Sequence, residues 1–192
     1  MKLNIEGKVN VYYVQTLCMI FYPGEKFSED QEIAPDTPVL DLHVQENDQG
    51  YVVDATLTQG TKTASTQKVY AWREDIDQDR LLKLALGDAI LVVCGEVCGY
   101  RPSWGMLTGV RPSKVATDLL KKGVSKTRVK KILSSEYFVI PKKAALATDV
   151  ALNEARLIAT PDKRDCSVYV SIPFCPTKIG RASCRERVFQ QV

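Results

Sequence analysis

The sequence predicts an α+β fold in which a small β-α-β-β-α unit comes first, a helical segment follows, and one further strand comes last. Three observations predict it. Apolar and polar residues alternate over residues 2–6, and residues 39–45 and 51–59 are rich in strand-forming residues. Apolar residues recur at helical spacing over residues 9–21 and 77–98. Three more helical patterns occupy residues 112–159, where glycine and proline separate them.

The first unit, residues 1–100, is predicted from local signals. A strand at residues 2–6 precedes a helix at residues 9–21, which ends before a Pro-Gly pair and a polar loop. Residues 39–45 and 51–59 are rich in strand-forming residues. The polar sequence Glu-Asn-Asp-Gln-Gly joins these two strands, which indicates a hairpin.

The end of this unit leaves one alternative open. Residues 68–72 either extend the sheet or lead into the next helix. Residues 77–98 are apolar on most sides, which predicts a buried helix. Gly99 follows as its expected C-terminal stop.

The second region, residues 101–165, begins with an irregular stretch and continues as helices. Residues 101–112 contain two prolines, two glycines and a tryptophan, so we expect an ordered loop there. Helices are predicted at residues 112–122, 125–134 and 141–159, followed by a polar turn at residues 160–165 and a strand at residues 166–172.

Composition and charge exclude several classes of protein. The chain has 192 residues, of which 45% are hydrophobic and 26% are charged, as in an ordinary globular protein. Its longest uninterrupted apolar runs, such as residues 89–94, are far shorter than the ~20 residues that span a bilayer. The first residues lack the apolar stretch of a secretion signal, so we expect a cytoplasmic protein with no membrane partner.

The charge balance argues against a nucleic-acid partner. The formal net charge is +3, and much of the excess lies in residues 179–192, where three arginines accompany one glutamate. A nucleic-acid surface needs a basic stripe along the fold. The local cluster of basic residues at 126–131 is best explained as a solvated helix face.

The six cysteines are expected to be reduced thiols or metal ligands, since no secretion signal is found. Cys18 and Cys166 lie in apolar patterns and are predicted core residues. Cys94 and Cys98 share one face of a predicted helix, so we expect core packing, with a shared metal or redox site as the alternative. The single histidine, His43, alternates with apolar neighbours and is predicted to face solvent.

The most informative stretch for function is residues 168–178, in which a strand leads through a turn at Pro173 into a loop that presents Cys175. This string resembles the opening of a radical-SAM cluster loop. In such a loop, three cysteines at C-x3-C-x2-C spacing bind three irons of a 4Fe–4S cluster, and the fourth iron stays open for S-adenosylmethionine. The second and third cysteine positions hold Ile179 and Ala182 here.

Two stretches together resemble the oxygen-independent coproporphyrinogen III oxidases, in particular the HemZ-type branch. One is residues 104–114, where Trp-Gly, Leu-Thr-Gly and Arg-Pro occur in that order, and the other is residues 168–178. The connecting helices fit the same family layout. The resemblance covers nearly all of residues 1–178, and it implies that residues 166–178 begin a radical-SAM core whose first strand belongs to a partial β/α barrel.

The resemblance also implies a reaction and its cofactors. The reaction is the oxidative decarboxylation of coproporphyrinogen III to protoporphyrinogen IX in haem biosynthesis, with a 4Fe–4S cluster and S-adenosylmethionine as cofactors. The implied partners are the small porphyrinogen substrate and an electron donor. Cys175 matches the first cluster ligand, and Tyr169 matches the tyrosine that contacts S-adenosylmethionine. Core packing is the alternative role for Tyr169, and Ser171 stands where relatives often have histidine.

The sequence departs from this family after Lys178. Residues 179–188 equal the in-frame translation of a common sequencing adapter, ATC-GGA-AGA-GCG-TCG-TGT-AGG-GAA-AGA-GTG. We therefore expect residues 179–192 to be an artefact, and Cys184, at the wrong spacing, not to be a cluster ligand. As written, the chain is expected to be an inactive fragment that binds no cluster.

A second interpretation belongs to a different class. The same elements could form an independent α+β and helical binding module that recruits a protein or an RNA through residues 126–131, without catalysis. The downstream gene sequence separates the two interpretations. Cysteines at positions 179 and 182 followed by a barrel favour the enzyme, whereas an authentic stop codon favours the module.

Overall fold

The fold is mixed α+β, as predicted, in a computed structural model that describes residues 1–27, 36–108 and 111–158. A four-stranded sheet comes from the first half of the chain, and four of the five helices follow it. In chain order the elements are β1 (Lys2–Glu6), α1 (Val11–Phe21), β2 (Val39–Asn47), β3 (Gly50–Gln59), β4 (Lys62–Ala71), α2 (Gln78–Cys98), α3 (Ser113–Lys121), α4 (Lys126–Ser135) and α5 (Pro141–Ile158).

The sheet has the strand order β1-β2-β3-β4. β1 runs parallel to β2, which requires a crossover, and α1 lies between these two strands in sequence. The other neighbours are antiparallel and joined by two-residue turns. In the predicted hairpin, the Asn47 side chain accepts hydrogen bonds from the backbone N–H groups of Gln49 and Gly50. In the second hairpin, Gly60 supplies the positive φ that such turns need.

One face of the sheet forms the core with α1 and α2. α2 packs across β3 and β4, and α1 packs on α2. Alternate residues of β2 and β3 point inward, as the period of a strand requires, and they are apolar. Each large aliphatic side chain removed from water contributes about 1.5–3 kcal/mol to this core. The inward residues are Leu40, Leu42, Val44, Val53, Ala55 and Leu57.

The other face of the sheet carries paired polar side chains. The Asn4 amide donates to Asp41 Oδ1 at 2.7 Å across β1 and β2. His43 Nδ1 lies 2.9 Å from Glu6 Oε2, and the His43 side chain is 41% exposed. The predicted solvent-facing position of His43 is therefore confirmed.

β4 corrects the predicted order of the first unit, which is β-α-β-β-β-α and not β-α-β-β-α. The alternative left open at residues 68–72 is settled in favour of the sheet. Sequence alternation is weak in this edge strand because its inward positions are Ala64, Thr66, Lys68 and Tyr70, of which Ala64 alone is a buried apolar residue. Polar edge strands are common, since they discourage pairing with other chains.

α2 confirms the predicted buried helix and both of its ends. The Asp77 carboxylate accepts a hydrogen bond from the Arg80 backbone N–H at 2.8 Å, which caps the N-terminus. Gly99 ends the helix in the left-handed region, with φ of 65°. Most of the residues between these ends are buried.

The later helices follow the predicted pattern closely. Ser125 caps α4, where its hydroxyl accepts from the Arg128 backbone N–H at 3.4 Å. The predicted turn at residues 160–165 and the strand at residues 166–172 lie outside the described residues, so the barrel and the domain boundaries stay predictions. In the part of the chain that the structure describes, no helix is both long enough and apolar enough to cross a membrane.

Candidate functional site

The two residues that the sequence assigns to cofactors, Tyr169 and Cys175, lie outside the described residues, as do Ile179 and Ala182. Their assignments stay predictions. The other stretch that carries the resemblance, residues 104–114, is described except for residues 109 and 110. It borders a pocket of about 480 Å³ together with α1, α2 and the segment after α4. This pocket is the candidate functional site of the described residues.

Gly105 brings the loop before α3 into close contact with the segment between α4 and α5. Its φ is 55°, and a Cβ there would lie 2.5 Å from the Phe138 carbonyl carbon and nearer still to the Tyr137 carbonyl oxygen. The next residue, Met106, donates its backbone N–H to that Tyr137 oxygen at 3.0 Å. Glycine is therefore required for the approach that forms this wall of the pocket.

Trp104 fastens the same loop to α5. The Lys143 ammonium lies 5.3 Å from the centroid of the Trp104 ring, which is a cation–π distance. Ile140 donates its backbone N–H to the Ser103 carbonyl at 3.1 Å. The Trp-Gly pair that the sequence comparison singled out thus has a structural role, which is to hold the pocket wall in place.

Met106 fills the space between the loop and α2. A Cβ at Gly87, in the middle of α2, would lie 2.5 Å from the terminal methyl group of Met106. Glycine inside a helix costs about 1 kcal/mol relative to alanine, and here it makes room for that side chain. The Tyr13 hydroxyl lies 4.0 Å from the Met106 sulfur and donates to the Lys83 carbonyl at 3.3 Å. Residue 106 therefore joins the floor of the pocket to α1 and α2.

The pocket has a cationic rim around a partly apolar floor. Its apolar residues include Leu84, Met106, Leu107 and Val115, and two tyrosines, Tyr13 and Tyr137, also line it. Six charged side chains also line it, namely Arg80, Lys83, Arg111 and Lys114 together with Asp77 and Asp79, and Thr108 and Pro112 make up the rest.

The carboxylates near the pocket are each committed to a structural partner. Asp77 caps α2, and Asp79 forms an i, i+4 ion pair with Lys83. Glu154 of α5 lies 3.1 Å from Arg111 and balances that guanidinium. Two cations of the lining remain, Arg80 and Lys114, and no carboxylate among the described residues lies within 4.0 Å of either of them.

Arg80 is oriented by an aromatic ring instead. Its guanidinium donates to the Tyr137 hydroxyl, and its central carbon lies 5.6 Å from the ring centroid. Burial raises the pKa of Tyr137, and burial raises the pKa of Tyr13 to about 12. Both hydroxyls therefore stay protonated near neutral pH, so the pocket offers no anionic tyrosine to neutralise Arg80.

Two of the three cysteines of the first unit are core residues, and the third, Cys98, is half-buried, so core packing is only partly confirmed for the Cys94 and Cys98 pair. Cys18 and Cys94 are fully buried, as predicted, and α1 packs on α2. A hydrogen bond with the Cys18 thiol, together with burial, raises the pKa of Cys94 far above its ordinary range. A neutral thiol is a poor metal ligand. Among the described residues, no group of three His, Cys, Asp or Glu side chains is arranged to hold a metal, so nothing there favours a metal shared by Cys94 and Cys98.

The basic face of α4 is partly neutralised within the fold. Lys126 Nζ lies 2.8 Å from Asp149 Oδ1 of α5, and this hydrogen bond holds the pKa of Asp149 below its usual value. The other basic residues of this cluster, Arg128, Lys130 and Lys131, lie on the same helix. The expected solvated face therefore includes one ion pair between helices.

Sequence reasoning identified only one wall of the pocket. Residues 104–114 were singled out by resemblance, without a structural role. Tyr13, Arg80 and Tyr137 were not predicted as site residues, because they belong to three separate elements and no local spacing connects them. The sequence held one local sign of this site. Arg80 closely follows Asp77, the residue that caps α2, which indicates a charged helix N-terminus.

Comparison with known proteins finds one relative that spans most of the chain. The chain is 26% identical over 179 residues to the oxygen-independent coproporphyrinogen-III oxidase-like protein HemZ of Bacillus subtilis (strain 168). The match covers 91% of this chain but 33% of that protein, so the chain spans about a third of the length of the curated relative it matches. No protein-family model and no solved structure matches the chain. This similarity confirms the predicted resemblance to the HemZ-type proteins.

Proposed function

We propose that this chain is part of a radical-SAM oxidoreductase of haem biosynthesis that converts coproporphyrinogen III to protoporphyrinogen IX by oxidative decarboxylation. The observation that carries the proposal is the similarity to the HemZ protein over 91% of the chain. The strand, turn and Cys175 loop that the sequence predicts at residues 168–178 support it, since that order of features is typical of a cluster loop.

The residues present do not fit the cluster that this reaction needs. Three thiolates are required, and the loop supplies Cys175 with Ile179 and Ala182 at the other two positions. Cys184 is at the wrong spacing to replace either of them. We therefore assign the cluster and S-adenosylmethionine to a protein that has cysteines at both positions. The chain as written is proposed to be inactive.

Independent sequencing of the gene across Lys178 tests the relation to the enzyme. We expect codons for cysteine at positions 179 and 182, followed by a sequence with alternating strand and helix patterns. A gene that encodes Ile179 and Ala182 and stops after Val192 would contradict the proposal, because no cluster loop could then form.

Anaerobic reconstitution with iron and sulfide tests the cluster assignment on the protein itself. The chain as written is expected to retain no stoichiometric iron, whereas Ile179→Cys/Ala182→Cys should retain iron and show the broad absorption of a 4Fe–4S centre. The matched control is Ile179→Ser/Ala182→Ser, which adds polar residues without thiolates. A stable cluster in the chain as written, or in the serine control, would show that the ligands lie elsewhere.

A further inference from the structure

The geometry of the pocket beside residues 104–114 points to a binding site for a small organic anion, a carboxylate or a phosphate attached to an apolar body. This inference does not depend on the proposed function. It concerns lining residues that the structure describes, and no residue of the cluster loop takes part in it.

The pocket lining carries more positive than negative side chains. The lining holds four cations and two aspartates, and a third carboxylate, Glu154, approaches from α5. Each carboxylate already caps a helix or pairs with a cation, as described above. Arg80 and Lys114 are left with no carboxylate within 4.0 Å among the described residues. A mobile anion is the simplest partner for two such cations.

Arg80 is held in one orientation by Tyr137. A surface arginine normally samples many rotamers, and ordering it costs conformational entropy. Here the guanidinium is held by a hydrogen bond to the Tyr137 hydroxyl, and its central carbon lies 5.6 Å from the centroid of the same ring. Because the Tyr137 hydroxyl engages one terminal nitrogen of Arg80, the other donors of the guanidinium fork can bind a planar carboxylate or a phosphate.

The floor of the pocket is apolar. Leu84 and Met106 are buried, and Leu107 and Val115 are half-buried beside them, so an apolar surface lies next to the charged rim. The volume of about 480 Å³ lies within the ~300–1,000 Å³ range of small-molecule sites. An inorganic anion alone would leave this apolar surface wet, whereas a ligand with an apolar body would cover it.

The walls of the pocket are held in place by contacts between separate elements. Gly105 and Trp104 fix the loop against the segment after α4 and against α5, and Gly87 admits the Met106 side chain into the floor. Preformed walls lower the entropic cost of binding, which is a feature of ligand sites.

Four probes that differ in charge and in apolar body test the inference by isothermal titration calorimetry on the full chain. Hexanoate and hexyl phosphate carry both features, hexanol carries the tail without the charge, and inorganic phosphate carries the charge without the tail. Hexanoate or hexyl phosphate is expected to bind at least about tenfold more tightly than hexanol, because a charge-assisted hydrogen bond contributes about 1.5–3 kcal/mol. The tighter of these two anions identifies the anionic group.

Matched lysine variants on α3 show whether binding occurs at this pocket. Lys114→Gln is expected to weaken the better anion about fivefold or more, and Lys114→Glu should weaken it further. Lys121→Gln, which removes an exposed lysine from the same helix but away from the pocket lining, should change the affinity by less than about twofold. Both lysines are exposed, so these variants are expected to fold, and thermal unfolding checks this.

The inference is overturned if none of the probes binds, or if hexanol binds as tightly as hexanoate and hexyl phosphate. It is also overturned if Lys121→Gln weakens binding as much as Lys114→Gln, because the effect would then be a property of the whole basic surface. Equal affinity for inorganic phosphate and hexyl phosphate would overturn the requirement for an apolar body.

Discussion

The fold treats two charged clusters very differently, one at Asp88 of α2 and one formed by Arg80 of α2 and Lys114 of α3. Asp88 lies under β4, where Lys68 Nζ approaches one carboxylate oxygen at 3.1 Å and the Tyr70 hydroxyl donates to the other at 3.0 Å. Arg80, in the first turn of the same helix, contacts an aromatic ring and has no carboxylate within 4.0 Å among the described residues. The first cluster is satisfied internally, and the second is open to a pocket.

The difference follows from solvent access. Asp88 is 8% exposed, and a buried charge without partners would cost several kcal/mol, so its neighbours must satisfy it. Arg80 and Lys114 line an open pocket, where water or a ligand can solvate them. Charged residues that the fold itself satisfies indicate a structural role, whereas oriented charges that it leaves open indicate a binding role.

Removing the glycine that shapes the pocket wall should have the largest effect. Gly105→Ala forces a Cβ into the Tyr137 carbonyl at a positive φ, so we expect the free energy of unfolding to fall by about 3 kcal/mol or more. Gly123→Ala is the matched control, because Gly123 also has a positive φ but has no atom within 4 Å of its Cβ position. It should cost about 1 kcal/mol, as measured by urea unfolding. Equal costs would contradict the close approach at Gly105.

Removing one charged side chain from each cluster tests the comparison directly. Asp88→Ala leaves the half-buried Lys68 ammonium and the Tyr70 hydroxyl without their partner, so we expect a loss of about 2–3 kcal/mol in the free energy of unfolding. Lys114→Gln should change that free energy by less than about 0.5 kcal/mol, because the fold does not use this charge. If the pocket lysine proved the more important for stability, the two clusters would have been assigned the wrong roles.

Alkaline pH should reveal Tyr13, a half-buried tyrosine that lines the pocket. Burial raises the pKa of Tyr13 from 10.0 to about 12, so its neutral hydroxyl stabilises the fold fully below pH 10. This contribution is lost as the pH rises through the folded pKa, and the loss should reach about 2 kcal/mol at pH 12. Tyr13→Phe should flatten this part of the stability profile. Tyr12→Phe, at a neighbouring tyrosine that is 73% exposed, is the matched control.

The smallest effects are expected at the two aspartates of the first turn of α2. Asp77→Ala removes the N-cap and should lower the free energy of unfolding by about 1 kcal/mol. Asp79→Ala removes an exposed ion pair with Lys83 and should cost less than about 0.5 kcal/mol. Denaturant titrations of both variants measure the difference. A reversed order would mean that Asp79, and not Asp77, organises this edge of the pocket.

Local elements were predictable where one residue type decides the structure. The cap at Asp77 and the hairpin after β2 follow from side chains that act on neighbouring backbone groups, and the stop at Gly99 follows from the left-handed conformation that glycine adopts without strain. β4 was missed as a full strand because its inward positions are mostly polar, so the alternation that marks a strand is absent. Its polar residues are tolerated inside because Asp88 of α2 meets Lys68 and Tyr70 there.

By itself, the sequence determined the α+β class, the helix ends and the resemblance to the HemZ-type enzymes, because each depends on residues close together in the chain or on an ordered string of them. Only the tertiary structure decided which charges are satisfied and which remain open. Arg80 meets Tyr137 across 57 positions, and Tyr13 meets Met106 across 93. Such contacts depend on how separate elements pack, and no local spacing encodes them.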